Sequence, residues 1–269
     1  MTGGAVKLFP RLVKGQTKKL LSREELDLLK EAEKSDFMQV MQSKIDCIDN
    51  IYNPTGILRY IDKFYDNPNI GEKVFNEFGF KSYNYKNEDL FVFNVTDHIS
   101  LLQQERNPNT KEMMSKHQTM ALFSTDYCLN KFCRKYNSIV LNVQQQDASS
   151  EELNFYRGSI IEESLFPSLD HLANNKEVSR DYDVVVGLYS PYRYGLEDSF
   201  GYPYRTDSIR DGRSFRWIGL LKDRLSGQEA LRMPLYFEGS NFWFEELPSR
   251  RELKDQIDRL ENYPKYLNK

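Results

Sequence analysis

Glycine is scarce in this sequence, and two glycine motifs that bind phosphate groups are both missing. The 269 residues include 14 glycines, about 5 % of the chain against an average of about 7 %. None of these glycines is followed by Lys, and no two of them are spaced as G-x-G. The sequence therefore lacks both the G-x-x-x-x-G-K-[ST] loop and the G-x-G-x-x-G turn, and with them a phosphate cradle of its own.

Charge imbalance, cysteine and long apolar runs are limited as well. The 37 basic and 40 acidic residues give a formal charge of −3, which argues against coating nucleic acid by bulk charge but leaves a local basic channel open. Cys47, Cys128 and Cys133 show no metal-ligand spacing and fit a reducing cytosol. No run approaches the ~20 apolar residues that span a bilayer, and the N-terminus lacks a signal-peptide core. We therefore expect a cytoplasmic protein without a membrane partner.

Strand and helix patterns alternate along the chain. The apolar spacing predicts helices at about 22–34, 55–66, 71–78, 110–135, 168–174 and 249–262, and strands at 44–49, 90–96, 138–143, 183–189, 215–221, 232–237 and 241–245. The nearly continuous apolar run at 90–96 is typical of a parallel strand buried on both faces, and 138–143 reads as another buried strand. We therefore predict an α/β domain with a mostly parallel sheet flanked by helices and a C-terminal antiparallel meander.

Ligands of such sheets bind at the carboxyl ends of the strands, so the polar residues there are candidate site residues. Asp97 follows the strand at 90–96 and is placed like an aspartate that holds Mg²⁺ through water, or like an ordinary helix N-cap or turn aspartate. Gln144 follows the strand at 138–143 and is either a γ-phosphate contact or an ordinary residue at the start of a loop. Lys222 and Arg224 point to the same side of an extended segment, either toward a phosphate or as a solvated hairpin tip.

Five segments then occur in an informative order. They are T-D-H-I-S-L-L at 96–102, V-Q-Q-Q at 143–146, N-N-K-E-V-S-R-D-Y-D-V-V-V-G-L-Y-S-P at 174–191, L-K-D-R at 221–224 and P-L-Y-F-E-G-S-N-F-W-F-E-E-L-P at 234–248. This series resembles the C-terminal motor domain of DnaB-like replicative helicases (superfamily 4, RecA fold), especially those that large bacteriophages encode. The resemblance covers about 44–248 and implies a RecA-like fold.

The resemblance implies a role for each residue at the strand ends, with ATP and Mg²⁺ as cofactors. Asp97 matches the Walker B aspartate that acts on Mg²⁺, and Gln144 matches the glutamine that couples the γ-phosphate to the DNA-binding loop. Lys222 and Arg224 match the paired fingers that one subunit inserts into its neighbour's ATP site. Such fingers stabilise the charge of the transition state.

The resemblance also implies a ring around single-stranded DNA. The loops at about 103–118 and 146–168 would face the ring channel, and Lys116, Arg157 and Lys176 would contact the DNA backbone there. The alternative for these three residues is an ordinary surface charge. The expected partners are single-stranded DNA and either further copies of the chain in a ring, a hexamer by analogy, or a partner chain that carries the phosphate loop.

The sequence also departs from the family pattern. In the family, the phosphate loop and the strand with the catalytic glutamate precede the region matched here, and residues 1–43 resemble the segment after that glutamate. We therefore expect an N-terminally truncated motor, with a helical segment at 1–43, the RecA-like core at 44–248 and a helical tail at 249–269. Ser226 also stands where many members have Gly after the Arg finger.

These observations predict part of an ATP-dependent replicative DNA helicase that is inactive alone and works in the cytoplasm of a bacterial host cell. One alternative is a non-catalytic RecA-like subunit that binds DNA or completes a ring. Another is a recombinase-type or clock-type ATPase of the same fold, against which the K-D-R pair at 222–224 and the strand at 183–189 count.

Overall fold

The computed structural model describes most of the chain between residues 23 and 252. The described residues are 23–36, 38–39, 44–146, 152–156, 159–172, 176–206, 209, 211–227, 231–239 and 242–252. They divide into two compact units, one formed by 49–187 with 220–230 and the other by the residues up to 48 with 188–219 and those from 231 onward. Most of the predicted segment 1–43 and of the predicted C-terminal helix lies outside the described residues.

The described residues form a mixed α/β structure. Its helices are α1 (Arg23–Glu33), α2 (Pro54–Tyr65) and α3 (Lys116–Ala121), the last continued by a π-helix (Leu122–Cys133). Its strands are β1 (Gly71–Asn76), β2 (Gly79–Tyr85), β3 (Phe93–Thr96), β4 (Ile139–Asn142), β5 (Phe155–Tyr156), β6 (Ser159–Ile160), β7 (Val184–Tyr189), β8 (Phe215–Asp223), β9 (Leu231–Glu238) and β10 (Trp243–Glu246). Short 3-10 turns lie at Ile99–Leu101, Glu162–Ser164, Leu169–His171, Lys176–Asp181 and Pro191–Tyr194.

Most of the predicted elements are confirmed, but the helix at 71–78 and the strand at 44–49 are wrong. Of the helix predicted at 168–174, the described residues show only the 3-10 turn Leu169–His171. The predicted helix at 71–78 is instead the first strand of the antiparallel hairpin β1–β2. Its residues Val74 and Phe75 favour an extended chain, and Gly79 adopts φ +101°, a backbone conformation that suits glycine in the turn. The predicted strand at 44–49 is irregular, and Ile45 is exposed there instead of packing against a sheet.

A tyrosine-rich core occupies the unit formed by 49–187 and 220–230. The rings of Tyr65 and Tyr136 stack with centroids 3.8 Å apart, and both side chains are fully buried. Asp62 on α2 accepts hydrogen bonds from the Tyr136 hydroxyl at 2.6 Å and from Lys131 Nζ at 2.7 Å. Burial raises the pKa of the Tyr136 hydroxyl, which therefore stays protonated and keeps donating to Asp62. This contact joins α2 to the π-helix and the turn after it.

The parallel pair β3–β4 lies against this core with one face only. Its inward residues Val92 and Val140 pack on the buried cluster. The outward residues Phe93, Val95 and Leu141 are all exposed. The prediction that the strand at 90–96 is buried on both faces is therefore wrong for this chain, because its described residues cover only one of the two faces.

The remaining long strands form a second sheet. Its order is β10-β9-β8-β7, and β9 and β10 run antiparallel. β3 and β4 form a two-stranded sheet of their own, so the single mostly parallel sheet expected from the sequence is divided among the described residues. β4 is instead connected to the segment before β7 by a side-chain hydrogen bond, in which Asn142 Nδ2 donates to the hydroxyl of Tyr182, two residues before that strand, at 2.5 Å. A side-chain hydrogen bond, and not a backbone ladder, therefore joins β4 to the segment before β7.

An aromatic cluster forms the core of the unit that contains 188–219. Phe215 and Trp217 point inward from β8 with their rings edge to face, and Tyr202 packs against both. The Trp217 indole N–H donates to Ser199 Oγ at 2.8 Å, and the Tyr202 hydroxyl donates to the Pro248 carbonyl at 3.0 Å. Both of these polar aromatic residues therefore have a buried partner for their polar group.

In the part of the chain that the structure describes, no helix has the length and apolar character needed to cross a membrane.

Candidate functional site

The carboxyl ends of β3 and β4 bring two of the predicted site residues to one edge. The Val143 N–H donates to the Thr96 carbonyl at 2.9 Å, and the Val143 carbonyl accepts from the Ile99 N–H at 3.0 Å. Asp97 lies in the chain between Thr96 and Ile99, the two residues that make these bonds. Gln144 directly follows Val143. The backbone ladder therefore places both residues at the end of the same parallel pair, where ligands of α/β sheets bind.

Asp97 is exposed, and the residues after it are held firmly. His98 Nδ1 lies 2.7 Å from Ser100 Oγ, and Ile99 is buried in the core. The 3-10 turn that follows has His98, not Asp97, at its N-cap, and no side chain caps it. Asp97 therefore does not serve as the helix cap that was one interpretation of its position.

The donor set at Asp97 suits one kind of metal site. Mg²⁺ is usually bound by one or two carboxylates together with water and substrate phosphates. Asp97 offers a single exposed carboxylate, and among the described residues no group of three or more His, Cys, Asp or Glu could hold a metal ion. This arrangement fits a Mg²⁺ ion that arrives with nucleotide phosphates, and it does not fit a resident metal centre.

Lys222 and Arg224 form a second pair of predicted site residues at the end of β8. Lys222 Nζ donates to the Ser179 carbonyl at 2.7 Å, and Arg224 donates to the Arg180 carbonyl at 2.6 Å. Partial burial, and then the positive charge of Arg224, lower the pKa of Lys222. The two cations thus lie together over the last turn of the 176–181 segment, where carbonyl oxygens attract positive charge.

The turn after the two cations is built by Asp223 and a glycine. Asp223 accepts from the backbone N–H groups of Leu225 and Ser226 at 2.8 and 3.1 Å and from the Ser226 hydroxyl. These bonds, with the Ser226 hydroxyl as the largest contribution, lower the pKa of Asp223. Gly227 adopts φ +66°, so the left-handed residue of this turn comes one position after Ser226. The Ser226 hydroxyl thus helps to shape the turn.

The structure describes only part of the predicted DNA contacts. Lys116 is half-buried, its ammonium donates to the Leu102 carbonyl, and burial lowers its pKa. This contact uses one of the three N–H donors of the Lys116 ammonium and holds the side chain against the Leu102 carbonyl. Arg157 lies outside the described residues, and Lys176 begins the 3-10 segment at 176–181 with a side chain that is also outside them.

Glu105 anchors the loop at 103–115, and it was not among the predicted site residues. Glu105 accepts from Asn53 Nδ2 and Thr55 Oγ1, both at 2.7 Å, and from the Thr55 N–H at 3.1 Å. It thereby satisfies donors at the N-terminus of α2 from 50 residues away along the chain. No local pattern reveals such a partner, because a capping carboxylate is normally sought within the first turn. Arg106, next to it, pairs with Met113 in a short antiparallel bridge.

The fold is similar to two solved structures. One is a structure of a DnaB-like replicative helicase and its interactions with primase, with 16 % identity and a TM-score of 0.56 over 91 % of this chain. The other is a solved ATPase domain, called the reference ATPase domain below, with 15 % identity and a TM-score of 0.58, also over 91 % of this chain. The chain spans 48 % of the first protein and 68 % of the second. Protein-family models and curated proteins yield no match. The chain therefore has the fold of the motor domain of DnaB-like helicases.

Proposed function

We propose that this chain is the downstream part of an ATP-dependent, DnaB-like replicative helicase of bacteriophage type, a ring motor that moves on single-stranded DNA. The observation that supports this most is the placement of Asp97 and Gln144 at one edge of the β3–β4 pair in a helicase-motor fold. The order of these residues along the chain matches the order of the Walker B aspartate and the sensor glutamine in that family.

In this proposal, Asp97 and Gln144 work on bound nucleotide without forming bonds to it. ATP with Mg²⁺ would supply the phosphoryl group and its counter-ion when bound. The exposed carboxylate of Asp97 would hold the water ligands of the metal in place, and the Gln144 amide would reach the γ-phosphate. Gln144 precedes the loop that begins at 146, so its position would report the state of the nucleotide to that loop.

Lys222 and Arg224 would act in the site of a neighbouring subunit. In the single chain both donate to the carbonyls at 179–180, and Arg224 Nη1 also lies 3.8 Å from Asp183 Oδ1 in an ion pair of two exposed side chains. Exposed contacts of this kind are weak and are readily exchanged. A phosphate oxygen carries a negative charge, so it attracts the two cations more strongly than a neutral carbonyl does. We therefore expect the two cations to exchange these carbonyls for phosphate when a loaded neighbour docks.

A second function is favoured by the missing glycine motif. Because no Gly in the sequence is followed by Lys, the chain by itself has no loop to hold the phosphates. A non-catalytic RecA-like subunit that binds DNA or completes a ring would have the same deficit. The two functions differ in one respect, since only the motor requires the carboxylate of Asp97.

The test compares ATP hydrolysis by this chain alone with hydrolysis after addition of the part of the reference ATPase domain that this chain does not match. We expect no Mg²⁺-dependent turnover alone and measurable turnover in the mixture. Asp97→Asn should reduce the turnover in the mixture by at least about a hundredfold, in line with the loss of one electrostatic catalytic contact. Asp89→Asn, a change of the same type at another exposed position, is the control. Turnover by the chain alone, or an active Asp97→Asn mixture, would contradict the proposal.

A further inference from the structure

Residues 105–114 form a short antiparallel hairpin, called the 105–114 hairpin below. Arg106 pairs with Met113 across it, and the Met114 N–H donates to the Glu105 carbonyl at 3.0 Å. These backbone contacts hold the two sides of the hairpin against each other. Each of the four residues therefore keeps a fixed side-chain direction, because side chains alternate between the two faces of an extended segment.

The hairpin has an inward and an outward face, since residues that lie opposite each other share a face. Glu105 and Met114 share the inward face, and only 4 % of Met114 is exposed. Arg106 and Met113 share the outward face, where Met113 is 65 % exposed and Arg106 is exposed as well. The pairing thus sets an arginine on the solvent side of the hairpin, opposite the face that packs on the protein.

The Glu105 carboxylate holds the inward face on the N-terminus of α2. It accepts three hydrogen bonds there, from Asn53 Nδ2 and Thr55 Oγ1 at 2.7 Å each and from the Thr55 N–H at 3.1 Å. The Thr55 hydroxyl also lies 3.2 Å from the hydroxyl of Tyr127 in the π-helix. Hydrogen bonds to a charged group are stronger than neutral ones, so these three bonds fix the base of the hairpin. They also direct the negative charge of Glu105 away from the outward face.

Arg106 is suited to bind a phosphate group from the outward face. Its planar guanidinium matches the geometry of a phosphate and can donate two hydrogen bonds to it at once. Within the part of the chain that the structure describes, this guanidinium forms no ion pair. Lys116, the cation that the sequence predicts for this loop, is half-buried and donates to the Leu102 carbonyl. The exposed arginine is therefore the better placed of the two cations for a phosphate.

We propose that Glu105 is a positioning residue for DNA binding. By holding the inward face of the 105–114 hairpin on α2, its carboxylate keeps Arg106 directed outward, where the guanidinium binds a phosphate of the single strand. The inference rests on the proposed function and adds to it a phosphate contact and the residue that orients this contact. Neither Glu105 nor Arg106 is among the DNA-binding residues that the sequence predicts.

The test measures binding of a fluorescein-labelled single-stranded oligothymidylate to the full chain by fluorescence anisotropy at several salt concentrations. Arg106→Gln should weaken binding about threefold or more. It should also reduce the slope of log affinity against log salt by about 0.7, the share of one phosphate contact on a single strand. Arg134→Gln removes an exposed arginine of the same unit and should change neither value.

The decisive variant is Glu105→Gln, because a charge effect and a positioning effect have opposite signs. Loss of a negative charge by itself strengthens the attraction to DNA. Loss of the anchor weakens binding, and we expect the same loss as for Arg106→Gln, with no further loss when the two changes are combined. Glu112→Gln, the same change at an exposed position of the same hairpin, should leave binding equal or tighter.

A second pair of variants tests the anchor without changing any charge. Thr55→Val removes the hydroxyl that donates to Glu105 and should weaken binding, whereas Thr55→Ser keeps a hydroxyl and should retain it. Circular dichroism identifies a variant that does not fold, and if Glu105→Gln is such a variant, the Thr55 pair decides the outcome. The proposal is overturned by unchanged or tighter binding in Glu105→Gln or in Thr55→Val, and equally by additive losses in the double variant.

Hydrolysis of ATP in the mixture with the unmatched part of the reference ATPase domain is measured alongside, so that the two proposals can fail separately. Binding that depends on Glu105 and Arg106 without hydrolysis supports the positioning role and counts against the motor function. Hydrolysis with unchanged binding in both variants supports the motor function and rejects the positioning role. A lack of salt-dependent binding by the unmodified chain also overturns the positioning role, and hydrolysis alone then decides the motor function.

Discussion

The β3–β4 pair and the β8–β9 region use apolar residues in two different ways. In β8, buried Phe215 and Trp217 flank half-exposed Arg216, so apolar and polar positions alternate. In β3, the outward positions Phe93 and Val95 are apolar although they face away from the core. The first pattern belongs to a strand whose single buried face is covered within the chain. The second pattern is typical of a strand that is buried on both faces, and the described residues cover only one of them.

The apolar residues of a strand therefore do not by themselves determine how much of the strand is buried. Both regions have strong strand signals in the sequence, and both form strands in the structure. They differ in what packs against the strand. The aromatic residues around Trp217 cover it within the same unit, whereas no described residues cover the outward side chain of Phe93. Residues of similar hydrophobicity should therefore differ widely in their contribution to stability.

The largest expected effect is in the aromatic cluster of β8. Trp217→Ala should lower the free energy of unfolding by about 3–5 kcal/mol, because it leaves a cavity and removes the buried hydrogen bond from the indole N–H to Ser199 Oγ. Urea denaturation followed by circular dichroism measures this loss. Trp243→Ala, at a Trp that is 53 % exposed, is the matched control and should cost less than half as much. Equal losses at both positions would contradict the difference in burial.

The next effect concerns the carboxylate that joins α2 to the π-helix. Asp62→Ala should lower the free energy of unfolding by about 2 kcal/mol, since hydrogen bonds to charged groups contribute roughly 1.5–3 kcal/mol. It removes the acceptor of both Tyr136 and Lys131.

The matched control for Asp62 is Asp66, which forms an ion pair with Lys73. The side chain of Asp66 is 62 % exposed, whereas that of Asp62 is 25 % exposed. Asp66→Ala should cost less than about 1 kcal/mol, as exposed pairs usually do. The same denaturation experiment measures both variants, and a larger loss at Asp66 than at Asp62 would reject this account of the core.

Alkaline pH should weaken the unit that contains Cys128. Burial raises the pKa of the Cys128 thiol from 9.0 to about 12 and that of the Tyr182 hydroxyl from 10.0 to about 12. The folded state therefore holds these protons more tightly than the unfolded state, so stability is complete below pH 9 and is lost as pH rises from there toward 12. We expect a loss of roughly 1–2 kcal/mol between about pH 8 and about pH 10.

Denaturation at a series of pH values measures this loss. The variant Cys128→Ala removes one of the two groups and should give a shallower decline above pH 9. A decline of unchanged slope would show that the buried thiol does not cause it.

The smallest expected effect lies on the outer face of β3–β4. Phe93→Ala should change the free energy of unfolding of the isolated chain by no more than about 0.5 kcal/mol, because the side chain is already in water. Denaturation of the chain alone checks this value. A loss comparable to that of Trp217→Ala would mean that Phe93 is covered in solution, and the contrast between the two regions would disappear.

Much of the fold could be predicted from local patterns. The helix at 55–66 and the strands around 138–143, 183–189 and 215–221 are found close to their predicted bounds, because their apolar spacing is set by residues within one element. The hairpin β1–β2 was missed since its strands mix charged and aromatic residues without a clear period. The π-helical part at 122–133 was predicted only as helix, because the period of its apolar residues does not separate the two forms.

The candidate site was predictable in part for a related reason. Asp97 and Gln144 are each marked by the end of an apolar strand, which is a local signal. Glu105 carries no such signal, because its partners Asn53 and Thr55 are 52 and 50 residues away and meet it only after folding. The carbonyls at 179 and 180 that hold the two cations of β8 are equally invisible, since backbone acceptors have no sequence signature.

The sequence by itself determined the strands near 138–143, 183–189 and 215–221, where their polar ends lie and that no glycine-lysine loop is present, because these properties depend on local residue order. Only the tertiary structure decided which strand faces are covered. Burial depends on the second layer that packs against a strand, and that layer comes from distant parts of a chain or from another molecule. The strand at 90–96 has the apolar composition of a strand buried on both faces, but among the described residues its outer face is exposed to water.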